Sequence, residues 1–312
     1  VILYLSIGLM GVHSTFFGPL KYSILPDHLT KDELLAANGF VEAGTFVSIL
    51  IGTILGGFYT TFASVVMFFM LLVSVVGFAA SFFLPKSNNS NPNLVINPNI
   101  FQETLNIVKY AHSKKQVFLP ILGISWFWFI GAALIAQIPL LTRDLFGADE
   151  TVANLFLAVF SIGVGVGSFW CNKLFENEIT TKYLFMAAFG ISLFGIDLFF
   201  ASRISAVHHE IDQLKNVMVF ISKLHNWRIL LDLFLLSAIS GLYVVPLFAV
   251  MQYFSSPAYR SRVIAANNVL NAVFMVASTL FLSVLFTLGC PVHVVILLVC
   301  LLNVLVAFYI YR

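Results

Sequence analysis

The residues of this chain that could do chemistry are charged and amide side chains placed within or beside long hydrophobic stretches. Lys21 ends the first stretch. Glu42 lies about a turn and a half inside the second. A charge at the centre of a bilayer costs about 2.5 kcal/mol or more, so such residues usually face a partner or a water-filled path. Because the two stretches are neighbours in sequence and antiparallel, we expect Lys21 and Glu42 either to pair as a brace or to contact a charged substrate as part of a gate.

Amide side chains form a second set of candidates. Asn38 and Asn267 each stand near the start of a hydrophobic stretch, where an Asn side chain commonly caps the first helical turn. The alternative is that both line a path between two halves of the molecule, with Asn271 adding a further amide there. Gln137 is followed by Pro139, which frees a nearby backbone carbonyl, so the Gln137 amide is expected to need an internal hydrogen-bond partner.

Nine hydrophobic stretches must position these side chains. Each is continuously apolar and roughly 20 residues long, enough for an α-helix to cross a bilayer, whereas barrel strands alternate over about ten residues. The composition agrees, since 60% of residues are hydrophobic and 10% are charged. The chain is therefore predicted to be an all-α membrane protein with nine transmembrane helices. They lie near 1–20, 38–60, 63–84, 118–141, 152–172, 183–202, 229–251, 265–287 and 291–311.

A sequence repeat relates the two ends of the chain. Pro19-Leu20 followed by Ala36-Ala37-Asn38 returns six spans later as Pro246-Leu247 followed by Ala265-Ala266-Asn267. A parallel repeat of six spans is typical of secondary transporters whose substrate path runs between two related halves. Because three spans precede the polar linker and six follow it, we expect a bundle that lacks the first three helices of a six-plus-six arrangement.

The linker divides the chain into three predicted parts. Residues 1–84 form a partial N-terminal bundle of three spans, and residues 117–312 form a C-terminal six-helix bundle. Between them, residues 85–116 form a cytoplasmic linker that begins with a proline-punctuated polar segment. Its second half, 101–116, has apolar residues at helical spacing, which predicts an amphipathic helix on the inner membrane surface with its basic face toward anionic lipid.

Charge and motifs limit the function classes. With the C-terminus cytoplasmic, eleven basic residues fall inside and five outside, as the positive-inside rule requires. The sequence contains no nucleophile elbow, phosphate loop or metal-ligand spacing, so no enzyme, cofactor or metal ion is predicted. The net charge of +2 is too small to indicate nucleic acid. His208, His209, Glu210 and Asp212 cluster, but adjacent helical histidines point about 100° apart, which favours a solvated outer loop.

Six segments carry a resemblance to a known family: Phe16–Pro26, Ala37–Gly39, Glu42–Thr45, Ile51–Gly57, Val244–Leu247 and Ala265–Asn268. They resemble the bacterial lysophospholipid transporter family of the major facilitator superfamily. The resemblance covers all nine spans, which correspond to family helices four to twelve. It implies a bundle that moves lysophospholipid, chiefly lysophosphatidylethanolamine, to the inner leaflet of the bacterial inner membrane by alternating access. It also implies partnership with an acyltransferase and acyl-carrier-protein ligase, fused or separate.

The resemblance also assigns roles to two residues. Lys21 matches the lysine of the family's Pro-x-Lys-Tyr segment, and Glu42 matches the glutamate of its Asn-Gly-x-x-Glu-Ala segment. A cation suits the phosphate of a zwitterionic headgroup and an anion suits its ammonium. Stand-alone members carry an arginine in the stretch corresponding to Ile135-Ala136-Gln137, which this chain lacks. Two other hypotheses stay open: an ion-coupled facilitator of a small polar solute or drug, and a transport-inactive remnant that anchors a fused acyltransferase.

Overall fold

A computed structural model describes residues 2–57, 59–85, 98–176, 178–205 and 214–311. Across these ranges the regular structure is helical, and an isolated bridge pairs Ala148 with Lys215. A π-helical turn, Leu141–Leu145, continues the sixth helix. The prediction of an all-α membrane protein is confirmed. The helices are α1 (Ile2–Ser23), α2 (Leu25–His28), α3 (Lys31–Gly57), α4 (Tyr59–Ser81), α5 (Ile100–Ser113), α6 (Lys115–Leu140), α7 (Glu150–Leu174), α8 (Leu184–Ser205), α9 (Val217–Ile221), α10 (Leu224–Phe254), α11 (Arg260–Thr287) and α12 (Val292–Tyr311).

Within the described ranges, eight helices are long and apolar enough to cross a membrane: α3, α4, α6, α7, α8, α10, α11 and α12. The stretch predicted as the first span forms α1, a helix of 22 residues with Pro19 near its end, which is not one of these eight. The number of nine spans therefore stays a prediction. Helices α3 and α11 begin several residues before the hydrophobic runs at 38 and 265, because their charged first turns stay helical.

Close backbone contacts hold the core of the second half together. Helix α10 packs on α6, α7 and α8, while α11 packs on α6 and α12 packs on α8. The α7–α10 contact needs glycine: a Cβ built on Gly241 would lie 2.5 Å from the Val164 carbonyl oxygen, and one on Gly163 would lie 2.7 Å from the Phe234 carbonyl oxygen. Small residues thus let two transmembrane helices meet backbone to backbone.

Helices α1 and α3 both pack on the second half of the chain. Helix α3 follows α7 along its length, with Gly39 beside the Ser168 carbonyl at one end and Gly57 beside Asn154 at the other. Helix α3 also contacts α10, and α1 contacts α11. In the sequence repeat α1 corresponds to α10 and α3 corresponds to α11. Exchanging the two copies therefore turns the α3–α10 contact into the α11–α1 contact, as a two-fold relation between the halves requires.

One end of the bundle carries most of the basic residues and is called here the basic end. Helices α1, α4, α7, α10 and α12 end there, and α3, α6, α8 and α11 begin there. Helix α5 lies across this end against α6 and α11, where Arg262 approaches Glu103 at 3.3 Å and Tyr110 stacks on Tyr259 at 4.3 Å between ring centroids. An amphipathic helix was expected over 101–116, and α5 occupies most of that segment. Its placement on a membrane surface stays a prediction.

Two predicted features lie largely or wholly outside the described residues. The polar linker predicted over 85–100 is described only at its two ends. The cluster of His208, His209, Glu210 and Asp212 is not described. Both therefore stay predictions from sequence.

Candidate functional site

Buried polar side chains meet at the basic end, where α1, α3 and α10 come together. The start of α3 sets their positions. Thr30 and Glu33 form a capping box: the Thr30 backbone N–H and hydroxyl donate to Glu33 Oε2 at 2.8 and 2.9 Å. With α3 starting at Lys31, Asn38 and Glu42 fall one turn apart on the same helix face. Both side chains are fully buried.

Glu42 is held by a tyrosine rather than by the expected lysine. The Tyr22 hydroxyl donates a hydrogen bond to Glu42 Oε1, while Glu42 Oε2 has no partner among the described residues. Lys21 Nζ donates instead to Thr45 Oγ1 at 3.0 Å and lies 4.8 Å from the Tyr22 ring centroid. Of the two alternatives, the direct ion pair of Lys21 and Glu42 is therefore wrong, and contact with a charged substrate stays a prediction. Neighbouring residues on a helix point about 100° apart, and it is Tyr22 that faces the carboxyl.

A reciprocal amide pair joins α3 to α10. Asn38 Nδ2 donates to Gln252 Oε1 at 2.6 Å, and Gln252 Nε2 donates to Asn38 Oδ1 at 2.9 Å. Each amide uses a further hydrogen: Asn38 bonds the Leu34 carbonyl at 2.8 Å, and Gln252 bonds the Tyr22 carbonyl at 3.1 Å. The prediction that Asn38 caps a helix start is wrong, because α3 begins seven residues earlier. The alternative, that Asn38 lines a path between two halves of the molecule, stays a prediction.

Tyr22 is the residue on which these contacts converge. Its ring stacks on Phe248 of α10, with centroids 4.3 Å apart and planes 4° from parallel. Its hydroxyl bonds Glu42, and its carbonyl accepts from Gln252. In the sequence repeat Phe248 takes the place of Lys21, so an apolar ring in the second copy faces the charged segment of the first. These contacts close the basic end between α1, α3 and α10, and this set is called here the junction.

The other predicted site residues lie outside this hydrogen-bonded set. Asn267 is fully buried, and neither of its amide atoms has a partner in the described part of the chain. It lies inside α11, seven residues after the helix start at Arg260, so the predicted capping role is wrong here as well. Asn271 Oδ1 accepts from the Ser125 hydroxyl at 2.9 Å and joins α11 to α6.

Gln137 sits far from the junction. It lies three residues before the end of α6, at the end of the bundle opposite the basic end. Its side chain is buried, and its Oε1 has no partner among the residues that the structure describes, so the internal partner expected from sequence is not seen there. After Pro139 the helix continues as the π-helical turn Leu141–Leu145, and the Leu141 N–H is shared between two carbonyls, of which Gln137 supplies one.

Sequence reasoning missed Tyr22, Thr45 and Gln252. Gln252 follows the predicted span 229–251 by one residue, so the search for polar groups inside the membrane stopped just short of it. Tyr22 directly follows Lys21 in the sequence, so it could have been considered beside Lys21 as a partner of Glu42. Together the junction presents a carboxyl, an ammonium, two amides and a phenol around one closed contact, a set that can bind a group carrying both charges once the contact opens.

Comparison with known proteins identifies the family. Residues 1–279 match the family described as Major Facilitator Superfamily. The chain is similar to the protein named Lysophospholipid transporter LplT from Escherichia fergusonii, with 25% identity over 256 residues, covering 78% of this chain and 56% of that protein. The protein of the same name from Photorhabdus laumondii subsp. laumondii is 27% identical over 259 residues, covering 80% and 58%. The chain thus spans little more than half the length of these relatives. It belongs to the Major Facilitator Superfamily.

Proposed function

We propose that this chain belongs to a transporter that moves lysophospholipid, of the lysophosphatidylethanolamine type, from the outer to the inner leaflet of the bacterial inner membrane. The observation that carries the proposal is the placement of Lys21 and Glu42 around Tyr22, within a membrane protein similar to proteins named lysophospholipid transporters. A buried carboxyl suits the ammonium of the headgroup, and the nearby lysine suits its phosphate.

In this proposal the junction acts as a gate at the basic end. Residues 1–84 and 117–312 move against each other across the linker 85–116, and the C-terminus lies in the cytoplasm. Opening would exchange the Asn38–Gln252 amide pair for bonds to water and separate the Tyr22–Phe248 rings. A net hydrogen bond contributes about 0.5–1.5 kcal/mol and an aromatic pair about as much. The sum falls in the range of a few kcal/mol that separates conformers in alternating equilibria.

The groove beside the junction supports a lipid substrate. Helices α3 and α7 border a cavity of about 290 Å³ whose walls are mainly apolar side chains, among them Val47, Ile162 and Phe169. Ala43, the neighbour of Glu42, lies in the same wall. In this proposal a single acyl chain lies in this groove, and its headgroup reaches Lys21 and Glu42 once the junction opens. A lysophospholipid delivered in this way is the substrate of an acyltransferase, so we propose an acyltransferase with an acyl-carrier-protein ligase as the functional partner, fused or separate.

The test is a flipping assay on the purified protein in liposomes. Fluorescent lysophosphatidylethanolamine is added outside, and the fraction protected from a membrane-impermeant quencher is followed with time. We expect protein-dependent protection that a two-chain phosphatidylethanolamine of the same label does not show. Uptake of a soluble solute without lysolipid movement would replace the proposal by an ion-coupled facilitator. Absence of both activities in folded protein would favour the membrane anchor of an acyltransferase.

A further inference from the structure

A second cavity, of about 430 Å³, lies inside the second half of the chain and apart from the junction. Four helices surround it, α6, α8, α10 and α12, and each touches the next: α6 with α12, α12 with α8, α8 with α10, and α10 with α6. The ring is fixed by Asn303 of α12, which accepts from Trp126 Nε1 of α6 at 2.8 Å and donates to the Ala188 carbonyl of α8 at 2.8 Å. Helices therefore border the cavity on four sides.

The opening is at the basic end. Lys115, at the start of α6, and Lys182, just before α8, line the cavity there together with the neutral polar residues Gln116 and Thr181. Deeper in, the walls are apolar and include Leu119, Phe185, Leu247 and Val250. From Phe254 to Tyr243 the lining follows α10 inward for three helical turns, about 16 Å. Its volume lies in the range of about 300–1,000 Å³ that is usual for ligand pockets.

We propose that this cavity binds a long-chain carboxylate, with the acyl chain between the four helices and the carboxylate between Lys115 and Lys182. The four-helix lining favours a single chain, because a two-chain phospholipid needs a gap between helices to keep its second chain in the bilayer. The charge of the opening selects an anion, since the lining contains two lysines and neither Asp nor Glu. A zwitterionic headgroup would leave its ammonium beside these two cations. The inference does not depend on the transport function proposed above.

Binding of palmitate to the purified protein, measured by native mass spectrometry, tests the proposal. We expect one saturable site for palmitate and none of comparable affinity for hexadecanol, which has the same chain and no charge. Lys115→Gln/Lys182→Gln should weaken palmitate binding about tenfold, the effect expected from losing two charge-assisted contacts at an exposed opening. Lys173→Gln removes an exposed basic residue at the same end that does not line this cavity, and should bind as the wild type.

Photo-crosslinking to the wild-type protein locates the acyl chain. Palmitate with a photoreactive group near its methyl end should label the peptides that carry Tyr243 and Ala188, the innermost lining residues of α10 and α8. Leu247→Trp should fill the cavity and abolish that label. Labelling spread over the lipid-facing surfaces of α4 and α11, or equal affinity for palmitate and hexadecanol, would overturn the proposal. So would wild-type affinity in the Lys115→Gln/Lys182→Gln variant.

Discussion

The side-chain amides of Asn38 and Gln252 each donate to the other, at 2.6 and 2.9 Å, although 214 residues separate them in the chain. Both are fully buried and lie on helices from different copies of the repeat. Such a pair stabilises the closed basic end only while both partners stay in place. Leaving one buried amide without its partner lowers the stability of the fold by about 1–3 kcal/mol. The junction therefore depends on both amides being in place.

The amide pair should behave as one unit in a double-mutant cycle. Asn38→Ala and Gln252→Ala should each lower the free energy of unfolding by about 1–3 kcal/mol, since each leaves a buried amide unpaired. The double variant should lose little more than the worse single variant, which gives a coupling energy of about 1 kcal/mol or more. Asn106→Ala, an exposed amide on α5, is the matched control. Strict additivity of the two single effects, measured by unfolding in detergent, would contradict this.

Removing the Tyr22 hydroxyl should destabilise the protein more than neutralising Glu42. Tyr22→Phe keeps the stack on Phe248 but leaves both Glu42 oxygens without a partner among the described residues, at a cost of about 1.5–3 kcal/mol. Glu42→Gln keeps an oxygen that accepts from Tyr22 and removes the charge. The midpoints of thermal unfolding compare the two, with Tyr110→Phe as a control tyrosine that also stacks on a ring. A larger loss in Glu42→Gln would assign the stabilisation to charge.

Local pattern was enough to place most helices but not to pair the side chains on them. Hydrophobic runs longer than about 18 residues can hardly be anything but spans, so the helical membrane fold followed from sequence. Lys21 and Glu42 were brought to the same region by the antiparallel order of their helices. The identity of the partner depends on rotation about each helix axis, and 100° of rotation separates Lys21 from Tyr22. A hydrophobic run does not fix that rotation.

The wrong capping assignments have a specific cause. The expected helix starts were read from the beginning of the apolar runs, near Asn38 and Asn267. The capping box of Thr30 and Glu33 was present in the sequence and sets the start of α3 at Lys31. A polar first turn continues an apolar helix without a break, so caps and not hydropathy mark the start. The contact of Asn38 with Gln252 had no local signal, because it joins two helices far apart in sequence.

The α7–α10 contact should tolerate no side chain at Gly241. A Cβ there would lie 2.5 Å from the Val164 carbonyl oxygen and 2.7 Å from the Ser168 nitrogen, so Gly241→Ala must push the helices apart. Overpacking of this kind costs about 1–3 kcal/mol. Gly131→Ala is the control, because a Cβ at Gly131 meets no described atom within 4 Å. Purified yield and unfolding midpoint should fall for Gly241→Ala alone, and an equal loss in both variants would refute the close-contact explanation.

Asn303 should be essential to the packing of α6, α8 and α12. Besides its bonds to Trp126 and Ala188, its Nδ2 donates to the Ser192 hydroxyl at 2.9 Å. Asn303→Leu is close in size but leaves the buried indole N–H of Trp126 unpaired, which costs about 1–3 kcal/mol. Trp126→Phe should lower the stability less, and should offset part of the loss when combined with Asn303→Leu. Tryptophan fluorescence during unfolding measures the loss in Asn303→Leu, and near-additive losses in the double variant would sink the idea.

Headgroup preference distinguishes the proposed roles of Glu42, which would bind the ammonium, and Lys21, which would bind the phosphate. Glu42→Gln should lower the initial flipping rate of lysophosphatidylethanolamine about tenfold but spare lysophosphatidylglycerol, which has no ammonium to bind the carboxylate. Lys21→Gln should slow both lipids, since both carry a phosphate. Glu178→Gln, an exposed carboxyl in the loop after α7, is the control for charge alone. If Glu42→Gln slows both lipids equally, Glu42 acts through its hydrogen bond to Tyr22 and does not bind the headgroup. Opening of the junction is needed for every substrate, so weakening that bond would affect both lipids to the same extent.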